Sequence, residues 1–259
     1  MRNEAYDLLQ RIAASESGQN MHFFGSATSA NEVVAFIQHG NIYLHDAPDL
    51  LITKGSDALI IEHFEFDSCH IRRKGGSPSK RELDRIQKIE DAMPATEEGA
   101  FLHDEIKVES SYSDYLQNVT NSFNKHYKHI AMYKENLLKE GLIDQFSNIK
   151  VLFLIEDTTI LGATAVSRDR DDIPLRHVML AHCKPFLDLL QKSVEVDYVL
   201  ACSSADNKDH SWFIDRTQLS EYYKHVVDYE CMDFLDFTPQ VTGFKSSSRR
   251  MRWLKKINR

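Results

Sequence analysis

The chain has few of the residues that mark secreted or redox-active proteins. Only four of its 259 residues are cysteines (Cys69, Cys183, Cys202 and Cys231), and none belongs to a CxxC pair. Scattered cysteines exclude a zinc ribbon or a CxxC redox motif and are typical of thiols buried in a reducing compartment. We therefore expect an intracellular protein whose cysteines are core residues.

Long apolar runs are also missing. The densest, such as Val151–Ile155, are far too short to cross a bilayer. The N-terminal segment MRNEAYDLLQR is charged and amphipathic and lacks the apolar region of a signal peptide. The sequence predicts a soluble, cytoplasmic protein with no membrane partner.

The motifs GxGxxG, GxxxxGK[ST] and GxSxG are absent, so Rossmann, P-loop and serine-hydrolase functions have no local support. Hydrophobic residues make up 42% of the chain and charged residues 27%, which are ordinary values for a globular protein. A chain of this length can bury a substantial core. With no linker visible, we predict a single α/β domain over residues 1–259.

The net charge of −8 hides an asymmetry. Residues 245–259 contain seven basic and no acidic side chains, which leaves 24 basic against 39 acidic side chains in the other 244 residues. A basic tail on an acidic body either docks on nucleic acid or folds back onto its own acidic surface.

Apolar periodicity, capping residues and turn residues divide the chain into alternating helices and strands. The predicted helices are Asn3–Ala14, Glu32–His39 with Asn31 as its N-cap, a piece around Glu82–Met93, Ser113–Glu140 and a piece around Pro185–Lys192. The predicted strands are Asp49–Thr53, Ala58–Asp67, Glu105–Glu109, Lys150–Ile155, Ile160–Val166, Tyr198–Cys202 and Trp212–Ile214. Their order indicates an α/β fold with a mixed central β-sheet flanked by helices.

The segment Pro48–Asp67 has the pattern of a β-hairpin rich in carboxylates. If Thr53 pairs with Ala58 across the turn Lys54–Asp57, Asp49 lies opposite Glu62. Directly opposed side chains are about 5 Å apart. Two carboxylates this close repel each other, and a divalent cation such as Mg²⁺ or Mn²⁺ relieves that repulsion.

Alternation along the second strand makes Glu62 unusual, because it shares a face with Ile60, Phe64 and Phe66. A carboxylate among apolar side chains needs a partner or a metal. The opposite face carries His63, Glu65 and Asp67, which is also the pattern of an ordinary solvent-exposed strand face.

The stretch PDLLITKGSDALIIEHFEFD, with the order of elements around it, resembles the PD-(D/E)xK (restriction-endonuclease-like) nuclease superfamily over about residues 31–156. The resemblance implies a restriction-endonuclease-like core. Because no linker is visible after it, we predict that residues 157–244 extend the same sheet and that residues 245–259 form a basic tail. It also implies that Asp49 and Glu62 are catalytic and hold the metal. In that superfamily a lysine two residues after the second acid orients the attacking water, and here Phe64 stands at that position.

Three arrangements would restore the chemistry. The lysine function passes to Lys54 or Lys74, or it passes to Lys107 of the literal ExK tripeptide at residues 105–107. In the third arrangement the working face is the other one, where His63 and Glu65, next to Asp67, serve as metal ligand and base. His126 and His129, spaced i, i+3 on the long helix, could also chelate a metal, although that spacing is common among structural histidines.

These features predict a metal-dependent nuclease-like protein that acts on or binds DNA or RNA phosphodiesters. The alternative is a catalytically inactive nuclease fold that serves as a binding or interaction module. Phosphate contacts are predicted for the basic loop after the hairpin and for the C-terminal tail. The residues predicted to make them are Arg72, Arg73, Lys74, Lys80, Arg81, Arg249, Arg250 and Arg252.

Overall fold

The structure is a computed structural model with side chains. It describes residues 3–14, 21–24, 27–67, 69, 77–92, 100–105, 112–158, 164–167, 176–177, 180–203, 211–222, 232–234, 240–245 and 251–256.

Helices and strands alternate along these segments. The helices are α1 (Glu4–Ala14), α2 (Ala27–His39), α3 (Pro78–Ala92), α4 (Tyr112–Tyr127), α5 (Ile130–Lys139), α6 (Lys184–Lys192) and α7 (Leu219–Tyr222). The strands are β1 (Met21–Phe24), β2 (Asn41–Leu44), β3 (Leu50–Lys54), β4 (Asp57–Phe66), β5 (Ala100–Glu105), β6 (Asn148–Asp157), β7 (Thr164–Ser167), β8 (Arg176–His177), β9 (Tyr198–Ser203), β10 (Ser211–Asp215), β11 (Met232–Phe234), β12 (Gln240–Lys245) and β13 (Met251–Lys256).

A seven-stranded mixed sheet forms the centre, in the order β1-β10-β9-β6-β4-β3-β2. Strands β2, β3 and β4 form an antiparallel meander, and β4, β6 and β9 are parallel neighbours. Strand β10 is antiparallel to β9, and β1 is parallel to β10. Two three-stranded sheets, β11-β7-β8 and β13-β12-β5, lie outside it. The predicted mixed α/β sheet flanked by helices is confirmed.

Each face of the central sheet packs against helices because its strands alternate two sets of apolar side chains. One set, including Leu51, Ile60 and Phe153, packs with residues of α4, α5 and α6. The other set, including Ile61 and Leu154, packs with residues of α1 and α2. The strand Lys150–Ile155, predicted to be covered on both faces, is buried from Val151 to Ile155.

The hairpin at residues 48–67 has the predicted register. Thr53 pairs with Ala58, and the last pair of the ladder is Leu50 with Ile61. The turn is tighter than the four residues expected, because Lys54 and Asp57 themselves pair around Gly55 and Ser56. Gly55 has a φ of 62°, a left-handed conformation that glycine adopts without the steric penalty other residues incur.

Two predicted helices differ from the structure. Helix α2 begins at Ala27, so Asn31 lies inside it and is not its N-cap. The single long helix predicted over residues 113–140 is two helices, α4 and α5, with a turn at residues 128–129. The apolar stripe runs through both helices, so the stripe alone does not reveal the break.

The predicted end of this helical segment is correct. Gly141 has a φ of 69°. Its N–H donates to Leu138 O, and the N–H of Leu142 donates to Leu137 O. This pair of bonds is the Schellman motif, which satisfies carbonyls that have no partner within the helix.

The third predicted strand also needs correction. Of the strand predicted at residues 105–109, only Glu105 lies in the described part, where it ends β5. Strand β5 pairs with β12 in a separate sheet, and the third strand of the meander is β2, which the sequence pattern did not identify. Within the predicted basic tail, β13 pairs with β12.

Cys69, Cys183 and Cys202 are buried, as predicted, and form no disulfide within the described residues; Cys231 lies outside them. Burial raises the pKa of the Cys69 thiol to about 12, which keeps it protonated at neutral pH. In the described segments no helix is long and apolar enough to cross a membrane.

Candidate functional site

Glu62 lies on the face of β4 that packs against α4 and α5, among apolar side chains, and is only 5% exposed. Its Oε1 accepts hydrogen bonds of 2.6 Å from the Tyr133 hydroxyl and from His126 Nδ1. Its Oε2 is buried and has no hydrogen-bond partner among the described residues. In that part of the chain, the carboxylate that appeared anomalous in the sequence therefore has partners on one oxygen and none on the other.

Asp49 lies one step beyond the last pair of the β3–β4 ladder, beside Glu62. Its Oδ2 accepts the backbone N–H of His63 at 2.7 Å. Burial raises the pKa of the Asp49 carboxyl; the hydrogen bond from His63 opposes this, and the charge of Glu62 raises the pKa further. The two predicted metal ligands thus come together closely enough to repel each other.

His45 extends this row onto a third strand. Its backbone N–H donates to Asp49 O at 3.1 Å, which continues the β2–β3 ladder by one pair. His45 Nε2 is buried and has no hydrogen-bond partner within the described segments, and its Nδ1 lies 3.9 Å from Glu140 Oε2. His45, Asp49 and Glu62 therefore occupy neighbouring positions across β2, β3 and β4.

The position of the superfamily lysine is taken by an aromatic stack. The Phe64 ring lies 4.7 Å from the His126 ring, with an interplanar angle of 12°. Among the described residues no lysine forms an ion pair with Asp49 or Glu62. Lys54 is exposed at the opposite end of the hairpin.

Most of the other lysine candidates and predicted phosphate-contacting residues lie outside the part of the chain that the structure describes. These are Arg72, Arg73, Lys74, Lys107, Arg249 and Arg250. Lys80 and Arg81 are exposed in the first turn of α3. Arg252 lies in β13.

The other face of β4 carries a second polar cluster. The side chains of His63 and Glu156 are each 9% exposed, and His63 Nε2 lies 3.5 Å from Glu156 Oε2. Glu65 pairs in register with Glu156 on the parallel strand β6. Its Oε2 accepts a 2.6 Å hydrogen bond from Lys80 Nζ. Parallel strands β4 and β6 bring these groups together at their carboxyl ends.

Asp67 does not join His63 and Glu65, although alternation placed it on the same face. Its carboxylate accepts hydrogen bonds from Cys69 N, Ser79 N and Ser79 Oγ at 2.9–3.0 Å, and also from Ser77 Oγ. Burial alone would raise the pKa of Asp67, but these donors outweigh burial and lower it. Asp67 is a structural anchor for the start of α3.

The start of α3 explains why the anchor is needed. Ser77 is the N-cap residue, since its Oγ accepts the Lys80 N–H at 3.1 Å, and Pro78 follows at the first helical position. Asp67 accepts the N–H of Ser79, another donor that has no partner inside the helix. The carboxylate is therefore fully used in joining β4 to α3.

Tyr133, Glu156 and His45 were not predicted from the sequence as residues near the carboxylates, and His126 was predicted only as a candidate metal chelator. Tyr133 was detectable, because it lies three residues after Ile130 and four before Leu137 on the apolar stripe, and a buried tyrosine hydroxyl needs a partner. Glu156 could also have been identified, because it directly follows the apolar run Val151–Ile155 within β6. The position of His45 beside Asp49 had no such signal, because β2 was not identified.

The described residues include no group of three or more His, Cys, Asp or Glu side chains already arranged around a metal position. The chain matches no protein-family model, no curated protein and no solved structure.

Proposed function

We propose that this protein is a divalent-metal-dependent nuclease-like protein that acts on or binds DNA or RNA phosphodiesters through Asp49 and Glu62. The observation that carries the proposal is the buried Oε2 of Glu62, which has no hydrogen-bond partner in the described part of the chain and lies beside the second carboxylate, Asp49. Carboxylate oxygens are the ligands that Mg²⁺ and Mn²⁺ prefer.

We further propose that residues 31–156 form a restriction-endonuclease-like core. In support, α2 leads into the meander β2-β3-β4, and α4 and α5 then cross over to β6, which is parallel to β4. The order differs from the predicted one in its third strand, because β2 precedes the hairpin and β5 pairs with β12 in a separate sheet.

The donor set fits a hard cation. Glu62 Oε2 has no hydrogen bond, and within the described segments Asp49 hydrogen-bonds only through its Oδ2 and its main chain. Asp49 and Glu62 would hold the metal, which supplies Lewis-acid stabilisation and a more acidic bound water. Tyr133 and His126 fix the Glu62 carboxylate by donating to its other oxygen.

His126 also stands beside Phe64, where the superfamily has its lysine. In this proposal His126 positions the Glu62 carboxylate by donating to its Oε1.

The test is cleavage of plasmid DNA, single-stranded DNA and single-stranded RNA by the purified chain with Mg²⁺ or Mn²⁺. Substituting a residue that only orients a metal ligand lowers metal affinity or activity about 10- to 100-fold. Loss of a direct ligand in Asp49→Asn or Glu62→Gln should therefore lower the cleavage rate at least about a hundredfold. Glu135→Gln is the matched control, because Glu135 is an exposed acid on α5. Equal activity in all four proteins would refute the assignment.

A second function is favoured by one observation, the Phe64–His126 stack at the lysine position. In this second function the protein is a binding module that keeps the nuclease scaffold but does not catalyse cleavage. Calorimetry with Mg²⁺ and Mn²⁺ separates the two. Binding of metal or salt-sensitive binding of nucleic acid without cleavage supports the module, whereas no heat and no cleavage refutes the metal-dependent nuclease.

A further inference from the structure

The cluster on the opposite face of β4 includes a buried polar atom without a hydrogen bond among the described residues. This atom is His63 Nε2, and the His63 side chain is only 9% exposed. A buried imidazole nitrogen without a hydrogen bond loses the free energy of its hydration without compensation. It points at Glu156, the acid on the neighbouring strand.

The distance between the two groups is informative. At 3.5 Å, His63 Nε2 and Glu156 Oε2 are not hydrogen-bonded. Two ligand atoms on a tetrahedral Zn²⁺, each about 2.0–2.2 Å from the metal, lie roughly 3.4 Å apart. The contact between His126 Nδ1 and Glu62 Oε1, at 2.6 Å, is in contrast an ordinary hydrogen bond.

A third oxygen is close at hand. Glu65 is the register partner of Glu156, so the two carboxylates are neighbours at the ends of parallel strands. Lys80, whose side chain is 60% exposed, now holds Glu65. The hydrogen bond to Glu65 raises the pKa of Lys80, and the nearby Glu156 adds to this. An exposed ion pair of this kind is weak, so Glu65 can exchange its partner readily.

We propose that His63 and Glu156 form a binding site for Zn²⁺, with Glu65 turning from Lys80 to become the third ligand. A mixed imidazole and carboxylate set suits a borderline cation better than Mg²⁺. Three protein ligands leave one tetrahedral position open to water or to a bound anion. The site lies at the carboxyl ends of β4 and β6, the edge where open α/β sheets bind ligands.

The site is independent of Asp49 and Glu62, because side chains of consecutive strand residues point to opposite faces of the sheet. His63 nevertheless contacts both sites. Its backbone N–H donates to Asp49 Oδ2, and its imidazole faces Glu156.

The test is calorimetric titration of the metal-free full-length protein with Zn²⁺ in millimolar Mg²⁺. We expect one saturable equivalent, with an affinity at least about tenfold lower in His63→Gln and in Glu156→Gln. His39→Gln, which removes an exposed histidine of α2, is the control. No saturable binding by the wild type, or a loss confined to the control, overturns the proposal.

A surface variant tests the third ligand without endangering the fold. Lys80→Ala frees Glu65 and should tighten Zn²⁺ binding by about 1.5- to 5-fold, the range expected for releasing an exposed ion pair. Lys134→Ala, which breaks the ion pair of Lys134 with Glu195, should leave Zn²⁺ binding unchanged. If both substitutions change the Zn²⁺ affinity equally, or if neither changes it, Glu65 is not a ligand of the site.

A wild-type measurement keeps the test decisive if the buried variants fail to fold. The ¹⁵N NMR resonances of the His63 imidazole, assigned by through-bond correlation to its own backbone, should shift on addition of one equivalent of Zn²⁺. Nitrogen resonances of His63 that stay in place at saturating Zn²⁺ refute the site.

Discussion

The hydrogen bond between Tyr133 and Glu62 allows the energetics of the candidate site to be predicted. Tyr133→Phe removes only the hydroxyl that donates to Glu62 Oε1 at 2.6 Å. Burial raises the pKa of Tyr133, and its bond to Glu62 raises it further, so the phenol remains a donor at all physiological pH values. The substitution therefore removes one charge-assisted hydrogen bond at nearly constant volume.

The magnitude follows from the burial of the acceptor. A hydrogen bond to a charged group contributes about 1.5–3 kcal/mol. Because Glu62 Oε2 has no partner, the carboxylate of the variant keeps only His126 as a donor. We expect the free energy of unfolding to fall by about 2 kcal/mol and Tm by about 4–8 °C.

Urea denaturation of matched variants measures this effect. Tyr127→Phe is the control, since within the described residues the Tyr127 hydroxyl makes no hydrogen bond and its ring stacks on Phe123; its effect should stay within about 0.5 kcal/mol. In the double variant Glu62→Leu, Tyr133→Phe, the loss should be smaller than the sum of the single losses by about 1.5 kcal/mol, because neither polar partner is left buried alone. A coupling energy within about 0.5 kcal/mol of zero would show that the hydrogen bond does not hold the carboxylate.

Two further substitutions test the supports of the site. Asp67→Asn should lower the free energy of unfolding by about 2–3 kcal/mol at pH 7, because charge-assisted bonds to the start of α3 are lost. The folded pKa of Asp67 is lowered, so this contribution is complete above the unfolded value of about 3.9 and disappears as the pH falls from there through the folded pKa; a difference between wild type and variant that is constant from pH 7 to pH 2 would contradict it. Gly40→Ala would place a Cβ against the Ile52 side chain and 2.6 Å from Phe36 O. Overpacking of this kind should lower the free energy of unfolding, measured by urea denaturation, by about 1–3 kcal/mol. An unchanged stability would show that β2 can move away from β3.

The hairpin was predictable because its information is local. Alternation of side chains, the turn residues around Gly55 and the pairing of Thr53 with Ala58 fix which residues share a face. The sequence could therefore place Asp49 beside Glu62 and identify Glu62 as a carboxylate on an apolar face. The helix break after Tyr127 and the pairing of β5 with β12 were not predictable in this way, because they depend on packing between distant segments.

The sequence by itself determined the mixed α/β class, the register of the hairpin and the absence of a lysine at Phe64. Only the tertiary structure decided what surrounds each carboxylate. It brought Tyr133 and His126 to Glu62 from positions 71 and 64 residues away, and Glu156 to His63 from a position 93 residues away. The physical reason is that strand periodicity fixes the direction of a side chain, whereas its partners come from whichever elements the long-range packing lays against that face.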